Sequence, residues 1–185
     1  MYETELWPFI EARWFGAKRE KTLWVVVHDM EFPERMTAAE DIARDFARRP
    51  ESNQASAHVC VDCDSVIQCV KDSYKAFAAH KTGNAYGVHI ELAGFGSQTA
   101  KQWRDNYSNA LLAIGADVAA QYCIKYGLPA FHLSDEQLRA MKPGIVGHDQ
   151  ISRVFKESDH TDPGPSFPWP RFMAYTLGSY NERRV

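Results

Sequence analysis

The feature that most constrains this fold is a short, wholly apolar run at residues 23–27, Leu-Trp-Val-Val-Val. Consecutive valines favour extended backbone, because β-branched side chains fit a pleated sheet. An apolar run without alternation indicates a strand buried on both faces, as in a sheet that carries helices on both sides. The run therefore predicts an α/β domain built around this strand.

The rest of the chain alternates between helical and extended patterns, as an α/β domain requires. The first helix opens with a Thr-Ala-Ala-Glu capping box, and the longest one ends at Gly127, a residue suited to a helix end. The pattern predicts a mixed central β-sheet flanked by helices and leaves the strand order open. The predicted elements are helices at residues 38–48, 98–125 and 134–141, strands at 56–61, 65–70 and 87–92, an irregular rim loop at 74–84 and a final helical turn at 171–177.

The composition describes one globular domain and excludes several classes of protein. The chain has 185 residues, 45% of them hydrophobic and 24% charged, which is enough for a sizeable core. A net charge of −3 offers no basic surface for nucleic acid. No apolar run reaches the roughly 20 residues that a membrane span requires. The first residues lack the basic and apolar regions of a signal peptide, so we expect synthesis in the cytoplasm.

The four cysteines are too few for a disulfide scaffold in a chain of this size. Cys60 and Cys63 form a Cys-x-x-Cys pair, but no second pair follows that would make a zinc ribbon. They lie in a segment whose apolar residues alternate as in a half-buried strand. We therefore expect the cysteines to behave as small buried hydrophobes.

Chemistry-bearing side chains concentrate in the stretch GHDQISRVFKESDHTDPGPSFPW at residues 147–169. It contains His148, His160 and Asp162, and its Asp-Pro-Gly-Pro turn is conformationally stiff. Two imidazoles and a carboxylate suit a Zn²⁺ site if one more ligand arrives from elsewhere. The alternative is a polar surface loop that happens to contain two histidines. His28 is a candidate for the missing ligand, because ligands bind beyond the carboxyl ends of strands in open α/β sheets.

Glu91 lies inside the apolar strand predicted at residues 87–92. An ionised carboxylate is costly there unless it is paired or functional, and desolvation raises its pKa towards that of a general base or acid. The alternative is a structural salt bridge. His89 shares the strand face of Glu91, so it either orients that carboxylate or belongs to the core.

Four stretches carry a family resemblance: VVVHDMEFPE, SAHVCVDCDSVIQCV, NAYGVHIELAGFG and residues 147–169. In this order and at these spacings they resemble the type-2 N-acetylmuramoyl-L-alanine amidases, zinc enzymes with the peptidoglycan-recognition-protein fold. The resemblance covers about residues 20–172 and is greatest to the amidase domains of endolysins from phages of mycobacteria and related actinobacteria. The stretch at residues 147–169 is its most specific part.

The resemblance implies a role for each matching residue. His28, His148 and Asp162 stand at the positions of the zinc ligands, and three ligands with one open position are typical of catalytic zinc. Glu91 stands at the position of the catalytic carboxylate. His160 stands where many relatives carry a lysine that stabilises the oxyanion, a task that imidazole can also perform.

The expected substrate cleft departs from the family pattern after Val70. Where the family often has Ala-Trp-His-Ala, this chain reads Ala-Phe-Ala-Ala, and His80 comes two places later than the family histidine. Either Ala78 has replaced that histidine or His80 fills its role. Phe77, His80 and Asn84 are therefore cleft candidates, as is His58, which resembles a family position near the metal.

The resemblance implies zinc-dependent hydrolysis of the amide bond between N-acetylmuramic acid and L-alanine in peptidoglycan. We expect a monomer with an N-terminal arm at residues 1–20, a catalytic domain at 21–177 and a polar tail at 178–185. Its expected role is lysis of the bacterial cell wall, as a phage endolysin. A non-catalytic peptidoglycan-binding module and a cytoplasmic enzyme that recycles muropeptides are the alternatives.

Overall fold

A computed structural model describes residues 7–184, so residues 1–6 of the expected arm and Val185 of the expected tail lie outside the described residues. Five strands form one sheet in the order β3-β2-β4-β1-β5. Only the β2–β3 pair is antiparallel; the other neighbouring strands run parallel. The strands are β1 (Trp24–Asp29), β2 (Val59–Val61), β3 (Val66–Gln68), β4 (Gly87–Leu92) and β5 (Gly144–Gly147).

Six α-helices and two short 3₁₀ helices accompany the sheet in the described part of the chain. The 3₁₀ helices lie at Glu51–Asn53 and Gln102–Arg104. No helix among residues 7–184 is long and apolar enough to cross a membrane. The α-helices are α1 (Ala38–Arg48), α2 (His80–Tyr86), α3 (Asn106–Tyr126), α4 (Asp135–Arg139), α5 (His148–Phe155) and α6 (Trp169–Glu182).

The predicted fold class is confirmed, since a mixed sheet lies between two helical layers. All six residues of β1 are buried, as its unbroken apolar sequence requires. Val25 and Val27 face the layer that contains α3, whereas Trp24 and Val26 face α4 and α5. Helix α6 packs on α3, and α1 covers the β2–β3 end of the opposite face.

The sheet register places two candidate site residues, His28 and Glu91, on the same face of the sheet. Side chains alternate along a strand, so His28 lies on the face of Trp24 and Val26. Parallel pairing of β1 with β4 sets His28 directly beside Glu91. Both side chains therefore lie on the helical face where α1 covers one half of the sheet and α5 the other, and the gap between these helices forms a cleft.

Several predicted elements are confirmed and others are corrected. Strand β4 and helix α1 have the predicted bounds, and Gly127 ends α3 with a φ of 64°. The predicted capping box of α1 is wrong: the Thr37 side chain caps no backbone N–H, and its Oγ1 donates to Asp41 at 2.9 Å. Helix α3 begins later than predicted because Asp105 caps it, accepting a hydrogen bond from the N–H of Ser108.

Three segments predicted to be irregular are in fact regular structure. The expected rim loop at 74–84 contains the first five residues of α2, and the stretch at 147–169 begins with the last residue of β5 and then α5. Residues 178–182, predicted as tail, continue α6. Strand β5 has only four residues, which are too few for a periodic signal. Cys60 is buried as expected, whereas Cys63 is only partly buried.

The N-terminal segment from residue 7 onward follows the β3 edge of the sheet. The N–H of Ile10 donates to the carbonyl of Gln68 at 2.9 Å, and Trp7 meets Tyr122 edge-on at 5.7 Å between ring centroids. The Arg19 guanidinium donates to the carbonyl of Gly87 at 2.6 Å. These contacts attach the segment to the sheet; the division into arm, domain and tail stays a prediction.

Helix α6 should contribute strongly to stability, because it packs along α3. Phe172 is fully buried between α6 and the core. We expect Phe172→Ala to lower the free energy of unfolding by about 3–5 kcal/mol, from lost apolar burial and the cavity left behind. Urea denaturation followed by circular dichroism measures the loss. Leu177→Ala, at a position 45% exposed on the same helix, should stay within about 0.5 kcal/mol of the parent. Equal losses in both variants would contradict this packing.

Candidate metal centre and cleft

Three of the predicted site residues meet at the carboxyl end of the parallel strands. His28 is the fifth residue of β1, His148 is the first residue of α5, and Asp162 lies in the loop that follows α5. One ligand atom from each lies within 4.8 Å of the others. All three are buried, with exposures of 2%, 1% and 9%. The fold thus brings a His-His-Asp cluster together from segments far apart in sequence.

The Asp162 carboxylate is the centre of this cluster. Nδ1 of His28 lies 2.9 Å from Oδ2, and Nδ1 of His148 lies 3.0 Å from Oδ1. Burial alone would raise the pKa of Asp162, but hydrogen bonds from His148, His160 and His28 outweigh it and hold the pKa below its usual value. Burial lowers the pKa of His148 to about 4. At neutral pH the cluster therefore offers an ionised carboxylate and a neutral imidazole.

These protonation states and donor types suit a divalent metal. Metal binding needs deprotonated ligands, and two imidazole nitrogens with one carboxylate oxygen form a set that Zn²⁺ accepts. Nε2 of His148 is also buried without a hydrogen-bond partner among the described residues. The residues present therefore fit a metal at this position.

Glu91 lies next to the cluster in the sheet and lines the same cavity. Its Oε2 is buried without a hydrogen-bond partner, and no ion pair to it exists between residues 7 and 184. Burial, and then the negative charges of Asp162 and Asp29, raise its pKa well above the usual value. The alternative of a structural salt bridge thus finds no partner in the described chain. A cation at the cluster would favour the ionised form and lower this pKa again.

His160 lies at the edge of the cluster. Its side chain is 55% exposed, and its Nδ1 is 3.4 Å from Oδ1 of Asp162. Its ring stacks on that of His148, with 4.4 Å between centroids and 21° between planes. The hydrogen bond with Asp162 raises the pKa of His160. An exposed imidazole facing the cavity can donate a hydrogen bond to a bound molecule.

The cluster opens into a cavity of about 420 Å³. Helix α1 contributes an apolar side to its lining, and Arg49, directly after this helix, contributes a cation. The loop before α2 contributes an aromatic ring. A cavity with a polar candidate metal site at one end and an apolar wall suits a ligand that carries an amide and aliphatic groups. Besides the cluster, the lining includes Ile42, Phe46, Arg49, Phe77 and Ala78.

The four cleft candidates occupy different places. Phe77 lines the cavity, as does Ala78. His80 is exposed at the start of α2, with its ring 6.4 Å from that of His160.

Asn84 stabilises the loop before α2, since its Oδ1 accepts hydrogen bonds from the N–H groups of Ala78 and Ala79. His58 is fully buried behind the cluster. Neither Asn84 nor His58 is among the residues that line the cavity, and roles in substrate binding stay predictions.

Sequence reasoning missed Asp29, which follows His28 directly. Asp29 is 6% exposed and lines the cavity. Its Oδ1 accepts the N–H of Glu31 at 2.9 Å, whereas its Oδ2 is buried without a partner in the described chain. Burial raises its pKa to about 7. Its position beside His28 at the end of an apolar strand was the available signal.

The comparisons with known proteins agree with this architecture. The family model of N-acetylmuramoyl-L-alanine amidases, Amidase_2, matches residues 18–165. Hydrolase AmiA of Staphylococcus aureus, solved with its ligand, is 18% identical, with 99% of this chain and 87% of that chain covered and a TM-score of 0.74. AmpD is 19% identical over 93% of this chain and 95% of that chain, with a TM-score of 0.66.

A further solved structure is that of N-acetylmuramoyl-L-alanine amidase LysC from Clostridium intestinale. It is 14% identical, covers 90% of this chain and 95% of its own, and has a TM-score of 0.53. At these identities the solved structures establish the fold alone. No curated protein sequence matches the chain significantly. The match of the family model over most of the chain shows that this protein belongs to the Amidase_2 family of N-acetylmuramoyl-L-alanine amidases.

Proposed function

We propose that this protein is a zinc-dependent hydrolase of the amide bond between N-acetylmuramic acid and L-alanine in peptidoglycan. The observation that carries the proposal is the shared cavity of Glu91 and the His-His-Asp cluster. A partly buried carboxylate with a raised pKa beside a candidate metal site is the arrangement that metal-assisted amide hydrolysis needs. Membership of the amidase family supports the choice of bond.

His28, His148 and Asp162 would hold the metal. Bound Zn²⁺ supplies a Lewis acid that polarises the scissile carbonyl and lowers the pKa of water to about 7. Asp162 contributes the charge that neutralises part of the cation, and the two imidazoles contribute neutral nitrogens. Their near-complete burial excludes bulk water from this side of the cluster, which strengthens electrostatic interactions in the site.

Glu91 acts as the general base and then as the general acid. Its carboxylate takes a proton from the attacking water and delivers it to the amine of the leaving L-alanine. His160 donates a hydrogen bond to the oxyanion of the tetrahedral intermediate from the exposed side of the cluster. The apolar side of α1 and Phe77 hold the remainder of the substrate in the cavity.

The proposed setting is lysis of bacterial cell walls by a phage endolysin, in line with the sequence resemblance. A cytoplasmic recycling enzyme would use the same chemistry on soluble muropeptides. A binding module would retain peptidoglycan without cutting it. Clearing of intact mycobacterial-type walls supports the endolysin role, whereas cleavage confined to soluble fragments supports recycling.

The test of the activity is the release of free α-amino groups from purified peptidoglycan. Zinc-loaded protein should release them, chelator-treated protein should not, and added Zn²⁺ should restore the release. Binding of peptidoglycan by the zinc-loaded protein without any release would instead identify a binding module.

The role of His160 gives a separate prediction. His160→Ala should lower kcat by about 10²–10³-fold, the usual cost of losing one oxyanion donor, while zinc content stays at the parent level. His160→Lys should recover much of the rate, because an ammonium also donates to an oxyanion. Steady-state kinetics on a soluble muropeptide, with metal analysis of each variant, measures both effects. An unchanged kcat in His160→Ala would exclude the residue from oxyanion stabilisation.

A further inference from the structure

His89 lies behind the metal cluster, on the face of β4 that carries Glu91, and is fully buried. Its Nδ1 lies 3.0 Å from Nε2 of His28. The other ring nitrogen of His28, Nδ1, faces Asp162 at 2.9 Å. The two nitrogens of His28 therefore have separate neighbours, one within the cluster and one in the core of the sheet.

We propose that His89 is a positioning residue, which accepts a hydrogen bond from Nε2 of His28 and so holds Nδ1 of His28 towards the metal. The inference rests on the metal centre of the proposed function. When one nitrogen of a neutral imidazole binds a metal, the other carries the proton and needs an acceptor that fixes the ring. Nδ1 of His89 is in place to be that acceptor.

The surroundings of His89 fix its ring. Its backbone N–H donates to Nδ1 of His58 at 2.9 Å, and the two rings stack with 5.5 Å between centroids and 17° between planes. A neutral ring that accepts at Nδ1 carries its proton on Nε2.

The unpaired nitrogen argues against His89 as simple core filling. Nε2 of His89 is buried without a hydrogen-bond partner among residues 7–184. A buried, unpaired N–H is destabilising, because it has lost its hydrogen bond to water. An apolar side chain at this position would avoid that cost. The contact between Nδ1 of His89 and His28 is the feature that an apolar residue could not provide.

Two substitutions separate positioning from packing. His89→Phe keeps a planar ring but removes the acceptor, and we expect it to weaken zinc affinity by about 10–100-fold, as loss of a histidine's outer partner does. His89→Asn keeps an acceptor near the place of Nδ1 and should bind zinc nearly as tightly as the parent. Competition with a chromophoric chelator measures the dissociation constants. The control is His132→Phe, the same change at a histidine that contacts Gln150 and Trp169 rather than a candidate ligand.

Equal zinc affinity of folded His89→Phe and the parent would overturn the positioning role. Failure of the parent itself to bind zinc would instead overturn the proposed metal centre. Long-range ¹H–¹⁵N NMR of the zinc-loaded parent gives a second test that needs no variant. We expect a proton on Nε2 of His28 and none on Nδ1 of His89. A proton on Nδ1 of His89 in that state would contradict the inference, whatever the fate of the variants.

Discussion

Replacement of Glu91 by glutamine should reduce amide hydrolysis by about 10²–10⁴-fold, the range that a positioned general base contributes. Glutamine has nearly the same shape as glutamate but cannot take a proton from water. Zinc content should stay at the parent level, because Glu91 is not a member of the His-His-Asp cluster. Kinetics on a soluble muropeptide, together with metal analysis of the same preparations, measures both quantities.

The matched control is Glu51→Gln, the same change at an exposed position in the 3₁₀ helix after α1. It should leave both rate and zinc content unchanged. The Glu91→Gln protein should also be at least as stable as the parent, because the substitution removes a carboxylate whose Oε2 is buried without a hydrogen-bond partner among residues 7–184. A Glu91→Gln enzyme with the full parent rate would remove Glu91 from the catalytic role.

The second large effect is expected from Asp162→Asn. Loss of an outer partner of a metal ligand costs about 10–100-fold in affinity, so loss of a charged ligand should exceed that range. The neutral amide of asparagine also lacks the negative charge that hydrogen bonds from three neighbouring histidines stabilise in Asp162. We expect zinc-dependent hydrolysis to disappear at zinc concentrations that saturate the parent.

Asp159→Asn is the control for this change, because Asp159 lies three residues earlier in the same loop and outside the cluster. Zinc titration by calorimetry should show that the Asp159→Asn protein binds zinc with a dissociation constant close to that of the parent. Circular dichroism of the metal-free proteins verifies that both variants fold. An Asp162→Asn protein that binds zinc as tightly as the parent would exclude Asp162 as a ligand.

The strands of the fold were predictable where local sequence alone determines burial. β1 and β4 are apolar runs whose burial follows from composition, and their bounds were found within a few residues. β5 and α5 were missed because a four-residue strand and an eight-residue helix carry little periodic signal. The sequence predicts only a final helical turn at 171–177, whereas packing against α3 continues helix α6 to Glu182.

The site was predictable as a set of residue types but not as a geometry. His28 and Glu91 become neighbours only through the parallel pairing of β1 with β4, and the strand order could not be derived from local patterns. His89 illustrates the same limit, since either of its expected roles was consistent with alternation along β4. Its contact with His28 depends on that register.

The central claim is that the cluster and Glu91 hydrolyse one particular amide bond, and isotope-labelled digestion tests it most directly. Peptidoglycan is digested in H₂¹⁸O with zinc-loaded protein, and the products are identified by mass spectrometry. The account predicts one ¹⁸O atom in the lactyl carboxylate of muramic acid, and stem peptides that begin with unlabelled, free L-alanine. Label in a sugar reducing end, label at a peptide bond within the stem, or cleavage that persists after zinc is removed would contradict it.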